Sequence, residues 1–166
     1  MDITKGTNVI IRLMEEADLQ QAAKVHQQAF VRQQRSYEWI KCNFNAAPRF
    51  LNFVAELNGE VVGYIVWGQK SGFRPEVILE LEQLAVLPSH HNQGIATQLI
   101  TQSLPQVKKL LAEQGSRLKH IMVNTRADNY AQQIYQKLLG AEVEMTIKSL
   151  YSADEVFMIA RNVCPN

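Results

Sequence analysis

A chain of 166 residues with 46% hydrophobic side chains has the length and apolar content of one domain, spanning 1–166, with a full core. Seventeen basic against sixteen acidic side chains give a formal net charge of +1, which excludes the broad positive field that gathers nucleic acid or binds an anionic membrane. Cys42 and Cys164 stand apart and outside any C-x-x-C, so both read as reduced thiols, with neither a zinc site nor a disulfide framework.

The first residues, Met1 to Gly6, lack a basic segment followed by an apolar run, and no window reaches the length of a membrane span. A cytoplasmic protein is expected. Val9 to Leu13 reads as a first strand, and Leu19, Ala22, Ala23, Val25, His26 and Phe30 recur with helical spacing. Residues 32–49 have no clean period and predict one short helix with irregular flanks. Arg32, Arg35, Lys41 and Arg49 in this stretch read as a solvated face, or as a surface favouring a carboxylate-bearing ligand. Two β-rich runs, 50–57 and 60–67, flank Asn58-Gly59, the dipeptide that best accepts a type I′ turn, and predict a hairpin.

After a loop over 70–76, Leu79, Leu81 and the run Leu84-Ala85-Val86-Leu87 predict a strand, which Pro88 ends by removing a donor. A helix follows from Gly94 towards Glu113, with Pro105 expected to kink it or to split it in two. Residues 121–125 predict a further strand. Asp128 or Asn129 then caps a helix whose buried stripe is Ala131, Ile134, Tyr135 and Leu138, closed by Gly140. Residues 142–150 and 155–161 supply two last strands. The order β-α-α-β-β-β-α-β-α-β-β predicts an α/β chain, a mixed sheet with helices on both faces.

The turn from the 79–87 strand into its helix is the most informative feature. Small residues at Gly94 and Ala96 leave the first helical turn open, where backbone N–H groups and the positive end of the dipole suit a diphosphate. No Lys-Ser/Thr follows Gly94 and no G-x-G-x-x-G is present, so triphosphate and dinucleotide loops are excluded. An ordinary strand-to-helix turn remains the plain alternative. The segment His91-Asn92-Gln93-Gly94-Ile95-Ala96 resembles the [Gln/Arg]-x-x-Gly-x-[Gly/Ala] acetyl-coenzyme A signature of the GNAT superfamily of N-acetyltransferases, with His91 departing from the usual first residue.

That resemblance implies a GNAT-like fold and transfer of an acetyl group from acetyl-CoA, as co-substrate, to a primary amine by direct attack in a ternary complex. It implies that the N–H groups from Asn92 to Thr97 hold the diphosphate, with His91, Gln93, Gly94, Ile95 and Ala96 in the cradle. Pantetheine would lie along Leu84, Ala85 and Val86, with the Val86 N–H as oxyanion donor. Asn124 and Asn129 complete the residues placed around the cofactor.

Tyr135 is the implied acid, on a helix reading Asn129-Tyr130-Ala131-Gln132-Gln133-Ile134-Tyr135, although a core tyrosine is its plain alternative. An unperturbed phenol at about 10 can protonate a leaving thiolate and stay protonated at neutral pH. Glu80 is the implied base, with its neighbour Glu82 or an ordered water as alternatives. A second family position for a base holds Asn124, which cannot accept the proton, and this weakens a protein N-terminal branch. The four histidines show no metal-ligand spacing, so no metal is assigned. The acceptor is expected to be a small-molecule or peptide amine, with no nucleic acid or membrane partner and with a homodimer left open. A non-catalytic acyl-CoA-binding module, a protein-interaction domain and a protein N-terminal or lysine acetyltransferase are the rival readings.

Overall fold

The computed structural model describes residues 8–163, so the segment Met1 to Gly6 and Cys164 lie outside the described residues. Seven strands and four helices follow one another as β1 (Val9–Leu13), α1 (Leu19–Ala29), α2 (Ser36–Asn45), β2 (Phe50–Leu57), β3 (Glu60–Gln69), β4 (Glu76–Val86), α3 (Ile95–Glu113), β5 (Arg117–Arg126), α4 (Ala131–Leu139), β6 (Glu142–Ile147) and β7 (Glu155–Ala160). Short 3-10 turns at Glu16–Asp18 and Pro88–His90 precede α1 and α3. The element order is the one the sequence predicts.

The strands hydrogen-bond in the order β1-β2-β3-β4-β5-β7-β6. β4 and β5 run parallel, whereas β1 with β2, β5 with β7, and β6 with β7 are antiparallel, so the sheet is mixed. The β2–β3 hairpin turns through Asn58 at φ 52° and Gly59 at φ 81°. Both are left-handed, as a type I′ turn demands.

Chain contacts cluster into two compact units, one built on residues up to 66 with 83–103, the other on 67–82 with residues from 104 onward. In the first, Leu19, Ala22 and Val25 of α1 and Ile40 of α2 pack with Val54, Val61, Tyr64, Val66 and Ala85 from the strands. Arg12 donates to both carboxylate oxygens of Asp18, at 2.7 and 2.9 Å, and to Glu56 at 2.9 Å, tying β1 to β2 and to the start of α1. In the second, alternate residues Val77, Leu79 and Leu81 of β4 are buried, as are Leu118, Ile121 and Val123 of β5. In β4 this burial has period two, which turns the alternate residues to the other face of the sheet.

Of the two outcomes expected at Pro105 the split does not occur: α3 runs unbroken over 19 residues with the proline inside it. Leu99, Ile100 and Ser103 before the proline, and Val107 and Leu111 after it, are fully buried, and that packing outweighs one lost intrahelical bond. The α4 stripe is shallower than expected, because only Tyr135 is buried while Ala131, Ile134 and Leu138 are half-buried. The strand predicted over 121–125 begins four residues earlier, at Arg117, so that His120 lies within β5.

Candidate functional site

In the first unit β4 delivers Val86 to the Pro88–His90 turn, and the chain then enters α3 through Asn92 at φ 61° and Gly94 at φ 75°. Two left-handed residues in three reverse the backbone tightly, and asparagine and glycine adopt that conformation most readily. Ile95, Leu99 and Ile100 are buried and fix the helix start, while Asn92, Gln93, Gly94 and Thr97 are exposed and Ala96 is half-buried. The leading amides of α3 therefore face outward on a rigid base. A β-carbon built on Gly94 meets nothing within 4 Å, so the space in front of the helix is open.

His91 has a contact that the sequence did not disclose: its Nε2 donates to the Val86 carbonyl at 3.0 Å. The side chain that departs from the motif thus braces the end of β4. On the other side of the strand, Leu87 N donates to Val62 O at 2.8 Å. Leu84 is half-buried, and Ala85 and Val86 are buried.

Gly63 of β3 sets how closely the chain approaches here. An added β-carbon would lie 2.9 Å from the Ala85 carbonyl oxygen, 3.2 Å from Leu99 Cδ1 and 3.3 Å from Val86 Cγ2. Gly63→Ala should displace the Ala85–Val86 backbone, at a cost of ~1–3 kcal/mol typical of overpacking. Expected are a lower melting temperature and, because the displaced backbone is the one expected to pair with pantetheine, a weaker coenzyme A affinity by calorimetry; an unchanged affinity would show that the strand tolerates the shift.

The second unit holds the implied acid and base. Glu80 of β4 is in register with Met122 of β5, and alternation puts Glu80, Glu82, Met122 and Asn124 on one face, opposite Leu79, Leu81, Ile121 and Val123. The one register shift in this pairing falls between Val77 and Ile78, before either glutamate, so the two share a face. Glu80 is not a lone carboxylate, because Lys70 Nζ pairs with it at 3.0 Å. Asn124 Nδ2 approaches Glu155 Oε2 at 3.5 Å. Glu155, a buried carboxylate on β7, is a residue that sequence spacing had no means of finding.

Tyr135 is buried on α4, and burial pushes its phenol up to about 12. Its hydroxyl keeps its proton at any working pH, although it is a weaker acid than the unperturbed value suggested. The N-cap of α4 is Tyr130, not the expected Asp128 or Asn129; Asn129 Oδ1, one residue further out, accepts from the Ala131 amide at 2.8 Å, while Asp128 is held by Arg126 at 3.0 and 3.1 Å. The Gly140 and Ala141 amides return to the Gln136 and Tyr135 carbonyls at the other end. Arg35, expected as part of a solvated face, pairs with Glu38, and Lys41 and Arg49 lie over the Tyr37 and Phe50 rings. Cys42 is an exposed free thiol. Among the described residues no group of three or more His, Cys, Asp or Glu could hold a metal ion, and no helix is long and apolar enough to cross a membrane.

Residues 12–141 match the model of the acetyltransferase (GNAT) family, and the chain belongs to that family. It is an acetyl-CoA-dependent acyltransferase, with acetyl-CoA as co-substrate. An N-alpha-acetyltransferase of Sulfurisphaera tokodaii is 26% identical over 163 residues, covering 94% of each chain. The ribosomal-protein-S18-alanine N-acetyltransferase of Escherichia coli superposes with a TM-score of 0.72 at 20% identity, over 93% of this chain and 94% of that one. An aminoglycoside 6'-N-acetyltransferase complexed with coenzyme A superposes with a TM-score of 0.76 at 16% identity, over 95% and 98%. The two structural likenesses extend the GNAT fold to nearly the whole chain.

Proposed function

We propose that this single N-acetyltransferase domain acetylates the α-amine of a polypeptide by direct attack in a ternary complex. The amides from Asn92 to Thr97 receive the coenzyme A diphosphate, pantetheine pairs along Leu84 to Val86, and the Val86 N–H stabilises the oxyanion. The amine nitrogen adds to the thioester carbon, the carbon–sulfur bond breaks, and the Tyr135 hydroxyl donates to the departing sulfur and is reprotonated from solvent. The amine proton leaves through water towards the Glu80 face.

The observation that carries the choice of acceptor is the pairing of that face: Glu80 is engaged by Lys70, and the amide of Asn124 takes no proton. A lysine side chain at about 10.4 has fewer than about one neutral molecule in a thousand at pH 7, whereas an α-amine at about 7.7–8.0 has on the order of a tenth. An α-amine, already partly neutral near pH 7, depends less on a base than a lysine does. The match to N-alpha-acetyltransferases over nearly the whole chain supports the same acceptor and outweighs the absence of a base at position 124.

The test is acetyl-CoA consumption with a free peptide, the same peptide blocked at its α-amine, a polyamine and an aminoglycoside. Expected is turnover of the free peptide that rises to about pH 8 and then levels as the α-amine deprotonates. Glu80→Gln should slow this reaction more at pH 6 than at pH 9, because neutral amines need no base. Preference for the blocked peptide's lysine or for the aminoglycoside would refute the acceptor while leaving acetyl transfer in place.

A further inference from the structure

Gln83 is buried on β4, three residues before Val86, and is the hub of a hydrogen-bonded chain within the first unit. Its Oε1 accepts from the Tyr64 hydroxyl at 2.6 Å and from the Trp39 indole N–H at 2.9 Å. An indole nitrogen only donates, so Trp39 fixes which end of the amide faces it. Gln83 Nε2 then points to Gln33 Oε1 at 3.5 Å, and the same oxygen accepts from His26 Nε2 at 2.8 Å. His26 Nδ1 lies 2.7 Å from the Ser36 hydroxyl. Five hydrogen bonds thus join six side chains, and the Trp39 N–H fixes the orientation of the amide at their centre.

His26 and Tyr64 are completely buried, whereas Val31 to Arg35, between α1 and α2, are exposed. The buried imidazole holds a side chain from within that segment, Gln33, and the first residue after it, Ser36. Gln83 ties the same segment to the strand that ends at Val86, about 10 Å away at ~3.3 Å per strand residue. Local packing alone does not need a relay through four elements, because a buried apolar contact would hold α1 and α2 at lower desolvation cost.

We propose that this relay is a positioning device for the amine acceptor: it fixes the segment between α1 and α2 beside the strand that presents the thioester, and so sets acceptor affinity without touching coenzyme A. The inference rests on the acetyl-transfer reading. Gln83, Gln33, Trp39 and His26 are positioning residues in it.

Trp39→Phe keeps the ring and removes the N–H, and Gln33→Ala removes the central acceptor; both positions are solvent-accessible, so the variants should fold. Each is expected to raise the acceptor KM about five- to tenfold, the effect of losing one net hydrogen bond, with kcat and the coenzyme A Kd within about twofold of the parent. The double variant should fall short of the product of the two, because both act through one chain. Trypsin cleavage after Arg32 and Arg35 should accelerate in the same variants. An unchanged acceptor KM, or a fall in kcat in its place, would overturn the inference even if cleavage accelerates. A parent chain that holds coenzyme A but acetylates no amine would overturn the underlying reading, and the parent alone reveals that outcome.

Discussion

Gly94→Glu is expected to remove detectable coenzyme A binding while the protein stays folded. The added carboxylate would stand in the open space before the leading amides of α3, where it would both fill the cradle and repel the diphosphate. Beyond its chain neighbours nothing lies within 4 Å of the new β-carbon, so the folding penalty comes mainly from the left-handed backbone at φ 75°, about 1 kcal/mol or somewhat more. Gly94→Ala carries that same backbone penalty without the charge and should lose far less affinity. Calorimetry on the two variants separates strain from occupation of the site. Equal binding by Gly94→Glu and the parent would move the cofactor elsewhere.

The second large effect is on rate. Tyr135→Phe keeps the buried ring that anchors α4 and deletes one hydroxyl, so kcat should fall on the order of a hundredfold to ten-thousandfold with coenzyme A binding nearly intact. Burial raises the phenol to about 12, so its protonated form is retained as pH rises and is lost only near that value. The parent profile should therefore show no alkaline decline from this group below about pH 11, roughly a unit under its raised pKa. Single-turnover rates across pH with a peptide acceptor would test both statements. Full activity in Tyr135→Phe would assign the proton to water.

Much of the fold was legible because its signals are local. Asn58-Gly59 announces its own turn, and the run from Leu84 through Ala96 encodes a strand end, a proline stop and an open helix start within thirteen residues. The Gly140 stop is likewise written beside the helix it bounds, whereas the start of α4 falls one residue later than the expected cap at Asn129. What escaped is contact across long separations. Trp39 and Gln83 meet over 44 positions, and nothing near either residue marks the other. The same holds for the Glu155 carboxylate beside Asn124, 31 positions away. The Lys70–Glu80 pair depends on where β3 ends against β4, which alternation alone does not specify. At Pro105 the local signal left a kink and a split both open, and side chains buried on both sides of it keep α3 a single helix.

The tight approach at Gly63 also bears on how this enzyme can change. Of the three atoms that crowd an added β-carbon, Leu99 Cδ1 and Val86 Cγ2 belong to side chains that a second substitution could trim. The nearest, the Ala85 carbonyl oxygen at 2.9 Å, is main chain and is present whatever residue occupies position 85. No partner mutation deletes it. Position 63 is thus a dead end for compensatory repacking, so variants that redesign the thioester strand must keep this glycine or abandon the present spacing between β3 and β4.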